Sequence, residues 1–213
     1  MARLLTKIAT TAAFLVAGLS AANAGVITFT SVGNDTNKKA GEDWVAKFDS
    51  PLLAGYTLSL NNAGIYQGTS AVAAAPDGDN TKYLAILGGG SATLTAPGTM
   101  KTMSVYLGSI DAYNKITFKG ANGFNKSFDG DDLVNNPNGD QDWAGTNRRF
   151  FFTFDPNDKI NKVIFSSSGN SFELDNIAVN DPPDAVPEPL TLTLFASGLA
   201  GAAFLRRRRQ KTA

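Results

Sequence analysis

Apolar residues between positions 25 and 180 occur in short runs, many of which alternate with polar residues, and Gly, Asn, Asp and Pro separate the runs. Such alternation is typical of strands with one buried face, and no segment here shows an apolar repeat of helical period over the length of a helix. The pattern predicts an all-β fold, with a single β-sandwich over residues 25–180 and jelly-roll-like connections. The predicted strands are Val26–Val32, Trp44–Asp49, Tyr56–Leu60, Lys82–Leu87, Ser91–Ala96, Lys101–Gly108, Lys115–Gly120, one centred near Phe150, Lys162–Ser167 and Phe172–Val179.

The last predicted strand contains a change of face. Phe172 and Leu174 lie on one face and Glu173 and Asp175 on the other, but beyond Asn176 the apolar residues lie on the second face. A β-bulge or a bound group near Asp175 and Asn176 would explain this change.

The first 24 residues have the three parts of a secretory signal peptide. Arg3 and Lys7 form a basic start, an apolar stretch follows, and Ala22 and Ala24 supply the small residues that precede signal-peptidase cleavage. We therefore expect the mature chain to begin near Gly25. A buried N-terminal helix is the alternative, but the apolar stretch is short and ends in the small-x-small pattern.

The other end of the chain also has three parts. Residues 181–189 form a Pro-rich linker, residues 190–205 form an apolar stretch, and residues 206–213 form a basic tail. The apolar stretch has 16 residues, a little short of the roughly 20 that span a bilayer, and we predict a transmembrane helix there. The arginines that follow would hold the basic side in the cytoplasm. They are Arg206, Arg207, Arg208 and Arg209.

The order of Pro187, Glu188 and Pro189, an apolar stretch and an arginine cluster resembles the PEP-CTERM sorting signal of Gram-negative bacteria that make extracellular polysaccharide. The resemblance implies export, an inner-membrane intermediate, and cleavage by an exosortase near the Pro-Glu-Pro motif. It also implies delivery to the cell surface or extracellular matrix. A permanent single-pass anchor is the alternative for this segment.

The body of the chain resembles a family of exosortase-dependent surface proteins. The stretches that carry this resemblance are Tyr106–Phe118, Ala73–Leu87, Gly130–Phe152 and Phe172–Val179. The resemblance implies a sandwich fold and a surface location but no reaction. We therefore expect a non-enzymatic protein with a structural or adhesive role in an exopolysaccharide or biofilm matrix. A carbohydrate-binding module on the same fold is the alternative, and a glycan hydrolase is a weaker one.

Charge and composition narrow the chemistry. Seven of the 19 basic residues but only one of the 19 acidic residues lie in the end segments, so residues 25–184 hold 12 basic and 18 acidic side chains, a net charge of −6. An acidic body repels phosphate backbones, which argues against a nucleic-acid partner. Because the chain has no His and no Cys, thiol chemistry, histidine catalysis and the usual zinc sites are excluded.

A structural calcium ion is the one candidate cofactor. Acids and amides cluster between Asp129 and Asp142, and oxygen ligands at short spacing suit Ca²⁺, with Asp129, Asp131 and Asp140 as candidate ligands. No window there fits an EF-hand loop, and a solvated turn is the alternative. The stretch Phe172–Val179 is similar to carbohydrate-binding jelly rolls, which implies Asp175 as a calcium ligand. The alternative is that Asp175 bonds to the backbone at a bulge.

Sugar binding would use exposed aromatic rings and nearby polar side chains. Trp143 lies inside the polar loop, and Tyr113 lies in a turn between Asp111 and Asn114, so Trp143, Tyr113 and Asp111 are candidate ligand-binding residues. Simple turn stabilisation is the alternative role of Asp111 and Asn114. A glycosidase would need two carboxyl groups about 5–10 Å apart across a sugar, a distance that the sequence does not give.

Overall fold

The computed structural model describes residues 25–181. This part of the chain forms ten strands, one short helix and one 3₁₀ turn, so the all-β prediction is confirmed. The elements are β1 Thr28–Gly33, β2 Asp43–Ala46, β3 Thr57–Gln67, β4 Lys82–Thr95, β5 Thr102–Gly108, β6 Asn114–Gly120, β7 Asn125–Asp129, α1 Gly130–Leu133, β8 Arg148–Thr153, the 3₁₀ turn Pro156–Asp158, β9 Ile160–Ser167 and β10 Phe172–Asn180.

The predicted signal peptide, the rest of the linker, the transmembrane helix at residues 190–205 and the basic tail lie outside the described residues. Between residues 25 and 181, no helix is long and apolar enough to cross a membrane.

The strands form one continuous antiparallel sheet in the order β1-β8-β5-β10-β4-β9-β6-β7, with β2 paired to β10 and β3 paired to β4. Strand β4 changes its partner part of the way along. Leu84 to Ile86 pair with β10, whereas Gly90 to Thr95 pair with β9. Gly89, between these two halves, has a φ of 77°, a conformation that glycine adopts without steric cost and that lets the strand bend.

Phenylalanine contacts show that the sheet curls into two facing layers. The ring centroids of Phe118 on β6 and Phe152 on β8 lie 4.8 Å apart, and those of Phe29 on β1 and Phe128 on β7 lie 5.4 Å apart. Neither pair of strands is hydrogen-bonded within the sheet, so these rings meet across the core. The predicted sandwich with jelly-roll-like connections is confirmed.

Some strand boundaries in the structure differ from the predicted ones, and the structure contains the predicted bulge. The two strands predicted at Lys82–Leu87 and Ser91–Ala96 are halves of β4, and β7 was not predicted. In β10, the register against β5 shifts between Asp175 and Ala178, and Asn176 has a φ of 56°. This bulge is the physical reason that the apolar residues change face.

A segment of the chain crosses the outer face of the sheet; we call residues 68–81 the covering segment. The Tyr83 hydroxyl donates to the Gly68 carbonyl at 2.8 Å, and the Tyr106 hydroxyl donates to the Asp77 carbonyl at 2.8 Å. The two tyrosines are fully buried. Polar groups of β4 and β5 thus hold the covering segment, because a buried hydroxyl needs a hydrogen-bond partner.

Candidate functional site

A cleft of about 320 Å³ lies where the covering segment meets three loops, around residues 109–113, 138–141 and 169–171. We call it the polar cleft. The structure brings the sequence-predicted residues Asp111 and Tyr113 together here. The other polar side chains that line it include Asn138, Gln141, Asn170 and Glu173.

Asp111 is held by its turn and also faces the polar cleft. Its backbone N–H donates to Asn114 Oδ1 at 2.7 Å, and the Asn114 N–H donates to the Asp111 carbonyl at 3.0 Å. A Cβ at Gly139 would lie 2.6 Å from Asp111 Oδ1, so the carboxylate fits only because residue 139 is a glycine. Burial raises the pKa of Asp111, and the nearby Tyr113 hydroxyl acts to lower that pKa.

Tyr113 presents a fixed aromatic ring. Its hydroxyl donates to the Asn170 carbonyl at 2.7 Å, and its ring rests on Gly169, where a Cβ would lie 2.9 Å from the ring carbon Cζ. The residue is 37% exposed. It also lines a neighbouring cavity of about 380 Å³ that includes Lys115 and Asp129, so the Tyr113 ring separates two cavities.

Glu173 lines the polar cleft and was not predicted as a ligand-binding residue. It is 1% exposed and accepts hydrogen bonds from Ser109 Oγ at 2.7 Å, from Ala74 N at 3.2 Å and from Ser171 Oγ. Burial raises its pKa, and these donors oppose the increase. The strand alternation placed Glu173 on the face away from Phe172 and Leu174. That pattern could have identified Glu173 as a cleft residue only if the sequence had also shown that the covering segment lies over this face of the sheet.

Trp143 lies in a different pocket from Asp111 and Tyr113. This pocket, which we call the Trp143 pocket, has a volume of about 260 Å³. The three predicted ligand-binding residues therefore belong to two separate surfaces. The other residues that line the Trp143 pocket are Ser31, Leu133, Val134, Asn135, Gly145 and Arg148.

The acids of the loop between Asp129 and Asp142 serve local turns. Asp129 caps α1: its Oδ1 accepts from Asp132 N at 3.3 Å, and its N–H donates to Asp132 Oδ2 at 3.1 Å. Asp140 Oδ1 accepts from the backbone N–H groups of Asp142 and Trp143, both at 3.0 Å. Asp131 is exposed. Among the described residues, no three or more acidic side chains converge as a metal-binding group.

Asp175 is fully buried and faces a second acid, Asp79. Within the described part of the chain, Asp175 Oδ1 and Asp79 Oδ2 are buried atoms without a hydrogen-bond partner. The Thr81 hydroxyl lies 2.5 Å from Asp79 Oδ1 and 3.4 Å from Asp175 Oδ2, and these two oxygens also accept from Thr81 N and from Asn176 Nδ2, each at 2.8 Å. Burial raises the pKa of Asp175 to about 8, and the charges of Asp79 and Asp49 add to the increase.

This pair, which we call the Asp79–Asp175 pair, has the chemistry of a hard-cation site. Carboxylate oxygens that lack a donor are suitable ligands for Ca²⁺, which takes six to eight oxygens at about 2.3–2.6 Å and accepts hydroxyl and water ligands as well. The Thr81 hydroxyl could supply a third protein oxygen. The residues present therefore fit calcium. Asp79 was not predicted, because in the sequence it belongs to an ordinary turn, Pro76–Asn80.

The fold and these sites define an all-β sandwich with a polar cleft at its edge. Residues 185–209, outside the described residues, match the family model for the PEP-CTERM protein-sorting motif. The chain therefore carries the predicted sorting signal, which marks it as an exported protein sorted to the cell surface through exosortase.

Several solved structures are similar to this chain. A peptidoglycan O-acetylesterase is 16% identical with a TM-score of 0.39; the match covers 67% of this chain but only 34% of the esterase chain. The family 11 carbohydrate-binding module of the Clostridium thermocellum cellulase Lic26A-Cel5E is 11% identical with a TM-score of 0.34, covering 68% of this chain and 97% of the module. TmCBM61 in complex with β-1,4-galactotriose is 9% identical with a TM-score of 0.30, covering 59% and 88%. No curated protein matches the sequence.

Proposed function

We propose that this protein is an adhesive component of an extracellular polysaccharide matrix, and that it binds glycan in the polar cleft without catalysing a reaction. The observation that carries the proposal is the cleft itself, where Asp111, Tyr113 and Glu173 meet in an exported protein. After export and exosortase processing, the sandwich would be the part that contacts the polymer.

The cleft has the groups that a sugar requires. Sugar hydroxyls both donate and accept hydrogen bonds, and the cleft offers the carboxylate of Asp111 together with the amides of Asn138, Gln141 and Asn170. The Tyr113 ring offers a flat surface for the C–H face of a pyranose, and its hydrogen bond to Asn170 fixes it before the ligand arrives. The volume of about 320 Å³ lies near the lower end of the roughly 300–1,000 Å³ range of ligand pockets.

Charge favours a neutral glycan in the polar cleft. Asp111 and Glu173 are its ionisable acids, and none of its lining residues is a lysine or an arginine. An anionic sugar would meet repulsion from these carboxylates at close range, whereas neutral hydroxyls can donate to Asp111. Glu173 serves to position the site, because both of its oxygens already accept hydrogen bonds from the protein.

The test is glycan binding by the full chain, purified in a detergent without a sugar headgroup and titrated calorimetrically with a panel of neutral oligosaccharides. Tyr113→Ala and Asp111→Asn should each weaken binding about tenfold. The first variant removes a stacking surface, and the second removes a charge-assisted hydrogen bond. The matched controls are Tyr66→Ala, a partly buried tyrosine on β3, and Asp131→Asn, an exposed acid on α1. The proposal is wrong if the cleft variants retain wild-type affinity while all variants unfold at the same temperature.

We also propose that the Asp79–Asp175 pair holds a structural calcium ion. The support is the two buried carboxylate oxygens that lack a donor. A divalent cation would neutralise the repulsion between the two acids and would fix the bulge of β10 against the covering segment. Removal of calcium with a chelator should then lower the melting temperature of the full chain, and an unchanged melting temperature would count against the ion.

A further inference from the structure

The Trp143 pocket has an aromatic surface that is fixed in place. A Cβ at Gly145 would lie 2.3, 2.4 and 2.5 Å from three carbons of the Trp143 ring, so the ring packs with its face against Gly145. Trp143 remains 44% exposed. Leu133 and Val134 supply apolar wall, and Asn135 and Ser31 supply polar groups. An apolar platform with polar edges suits a sugar ring, whose faces are apolar and whose rim carries hydroxyls.

Arg148 lines the same pocket, and hydrogen bonds fix the orientation of its guanidinium group. Its Nε donates to Ser31 Oγ at 3.0 Å, its Nη1 to the Ala144 carbonyl at 2.9 Å and its Nη2 to the Ser31 carbonyl at 3.2 Å. These bonds use three of the five N–H donors of an arginine, and all go to neutral oxygens. Within residues 25–181, the remaining two N–H groups have no hydrogen-bond partner. A positioned guanidinium with unused donors is suited to a carboxylate, which it can bind through two parallel hydrogen bonds.

The residues that line the Trp143 pocket carry one positive charge and no negative charge. None of the seven residues that line the pocket is acidic, although residues 25–184 carry a net charge of −6. The other arginine of the described chain, Arg149, is fully buried. The Trp143 pocket is therefore a local cationic site on an acidic protein, whereas the polar cleft contains two acids and no cation.

We propose that the Trp143 pocket binds a carboxylate-bearing sugar residue, a uronic acid, of an acidic polysaccharide. The pyranose face stacks on Trp143, the carboxylate accepts from the two unused N–H groups of Arg148, and Asn135 bonds a ring hydroxyl. The volume of about 260 Å³ limits the pocket to about one sugar ring, since it lies below the roughly 300 Å³ at which larger ligand sites begin. The proposal rests on the proposed glycan-binding function, but it uses a different surface and a different class of sugar.

The experiment compares two probes that differ only at the carboxyl group: tri-galacturonate and the same trisaccharide after chemical reduction of its carboxyl groups. The full chain is titrated calorimetrically in a detergent without a sugar headgroup. Wild type should bind the acidic probe at least about tenfold more tightly than the reduced probe, because a charge-assisted hydrogen bond contributes more than a neutral one. High salt should reduce this preference.

The variants separate the contributions of charge, stacking and fold. Arg148→Met should remove the preference for the acidic probe, and Arg148→Lys should retain part of it, because lysine keeps the charge but loses the bidentate geometry. Trp143→Ala leaves the hydrogen bonds of Arg148 intact and should weaken binding of the acidic probe. Tyr66→Ala, which changes a partly buried tyrosine outside both sites, is the control and should leave the preference unchanged. Tyr113→Ala should weaken only binding at the polar cleft, so failure of the polar cleft and failure of this pocket give different results.

Three outcomes would overturn the proposal: no binding of tri-galacturonate at millimolar concentration, equal affinity for both probes, or unchanged affinity for the acidic probe in both Arg148→Met and Trp143→Ala. The last outcome would overturn the proposal even if Arg148→Met disturbs the β1–β8 pairing, because Trp143→Ala leaves that pairing unchanged.

Discussion

The Asp79–Asp175 pair makes the stability of the metal-free protein depend on pH in an unusual direction. Asp175 is fully buried, and burial raises its pKa from 3.8 to about 8. The folded state therefore binds this proton more tightly than the unfolded state does. By linkage, the contribution of Asp175 to the free energy of unfolding is greatest below about pH 4 and falls as the pH rises towards 8.

The size of the effect follows from the two pKa values. Each pH unit between them changes the free energy of unfolding by up to about 1.4 kcal/mol, so the loss between pH 5 and pH 8 approaches about 4 kcal/mol. For a domain of this size, that corresponds to a change of roughly 10 °C in melting temperature. Asp175→Asn keeps the shape of the side chain but removes the titration. The free energy of unfolding of Asp175→Asn, relative to that of wild type, should therefore increase by about 4 kcal/mol between pH 5 and pH 8.

The assay is thermal unfolding of the full chain at several pH values in the presence of a chelator, followed by the same series in excess calcium. Calcium should raise the melting temperature of wild type at pH 8, by the equivalent of about 2.7 kcal/mol when its concentration is 100 times the Kd. It should have little effect on Asp175→Asn. Asp131→Asn, which removes an exposed acid from α1, is the matched control and should behave as wild type does.

Two results would refute this reasoning. If wild type and Asp175→Asn lose stability in parallel between pH 5 and pH 8 without metal, Asp175 is not a buried titrating group. If the difference between them grows as expected but calcium does not stabilise wild type, the two acids share a proton and do not bind this ion.

Two further predictions concern the core and the C-terminus. Phe152→Ala should lower the free energy of unfolding by about 3–5 kcal/mol in urea denaturation, because it removes the contact between the two layers. The control is Val32→Ala, at a 49% exposed position, which should lower the free energy of unfolding by less than about 0.5 kcal/mol. Equal losses in the two variants would contradict the layered core. The intact mass of the protein from cells with exosortase should end near Pro187–Pro189, whereas a mass that includes Arg206–Arg209 would indicate a permanent anchor.

The sequence predicted the strands better than their arrangement. Alternating residues within one strand determine its buried face, and this local signal located nine of the ten strands. It did not find β7, whose sequence Asn125–Asp129 has only one buried residue, Phe128. It also did not predict that β8 lies between β1 and β5, because strand order depends on contacts between residues far apart in the chain.

The candidate site shows the same limit. Asp111 and Tyr113 could be predicted together because they share one turn, but Glu173 joins them from β10, and the strand pattern alone does not show which loops cover that face. Asp79 and Asp175 lie almost a hundred residues apart, so no spacing rule could pair them. The complete burial of Arg149 was also unexpected; it is held by Ser104 Oγ at 2.8 Å and by the Asn176 carbonyl at 2.9 Å.

The position of β10 has a mechanical consequence. This strand has hydrogen-bonded neighbours on both sides, β5 along one edge and β4 and then β2 along the other, and it leads from Glu173 in the polar cleft to Asn180, where the linker begins. In a matrix adhesin whose C-terminus stays attached to the cell, tension from a bound polymer would therefore run along a single central strand. Such a load pulls on the hydrogen bonds of two strand pairs at once, in shear, whereas a load on an edge strand would open them one after another.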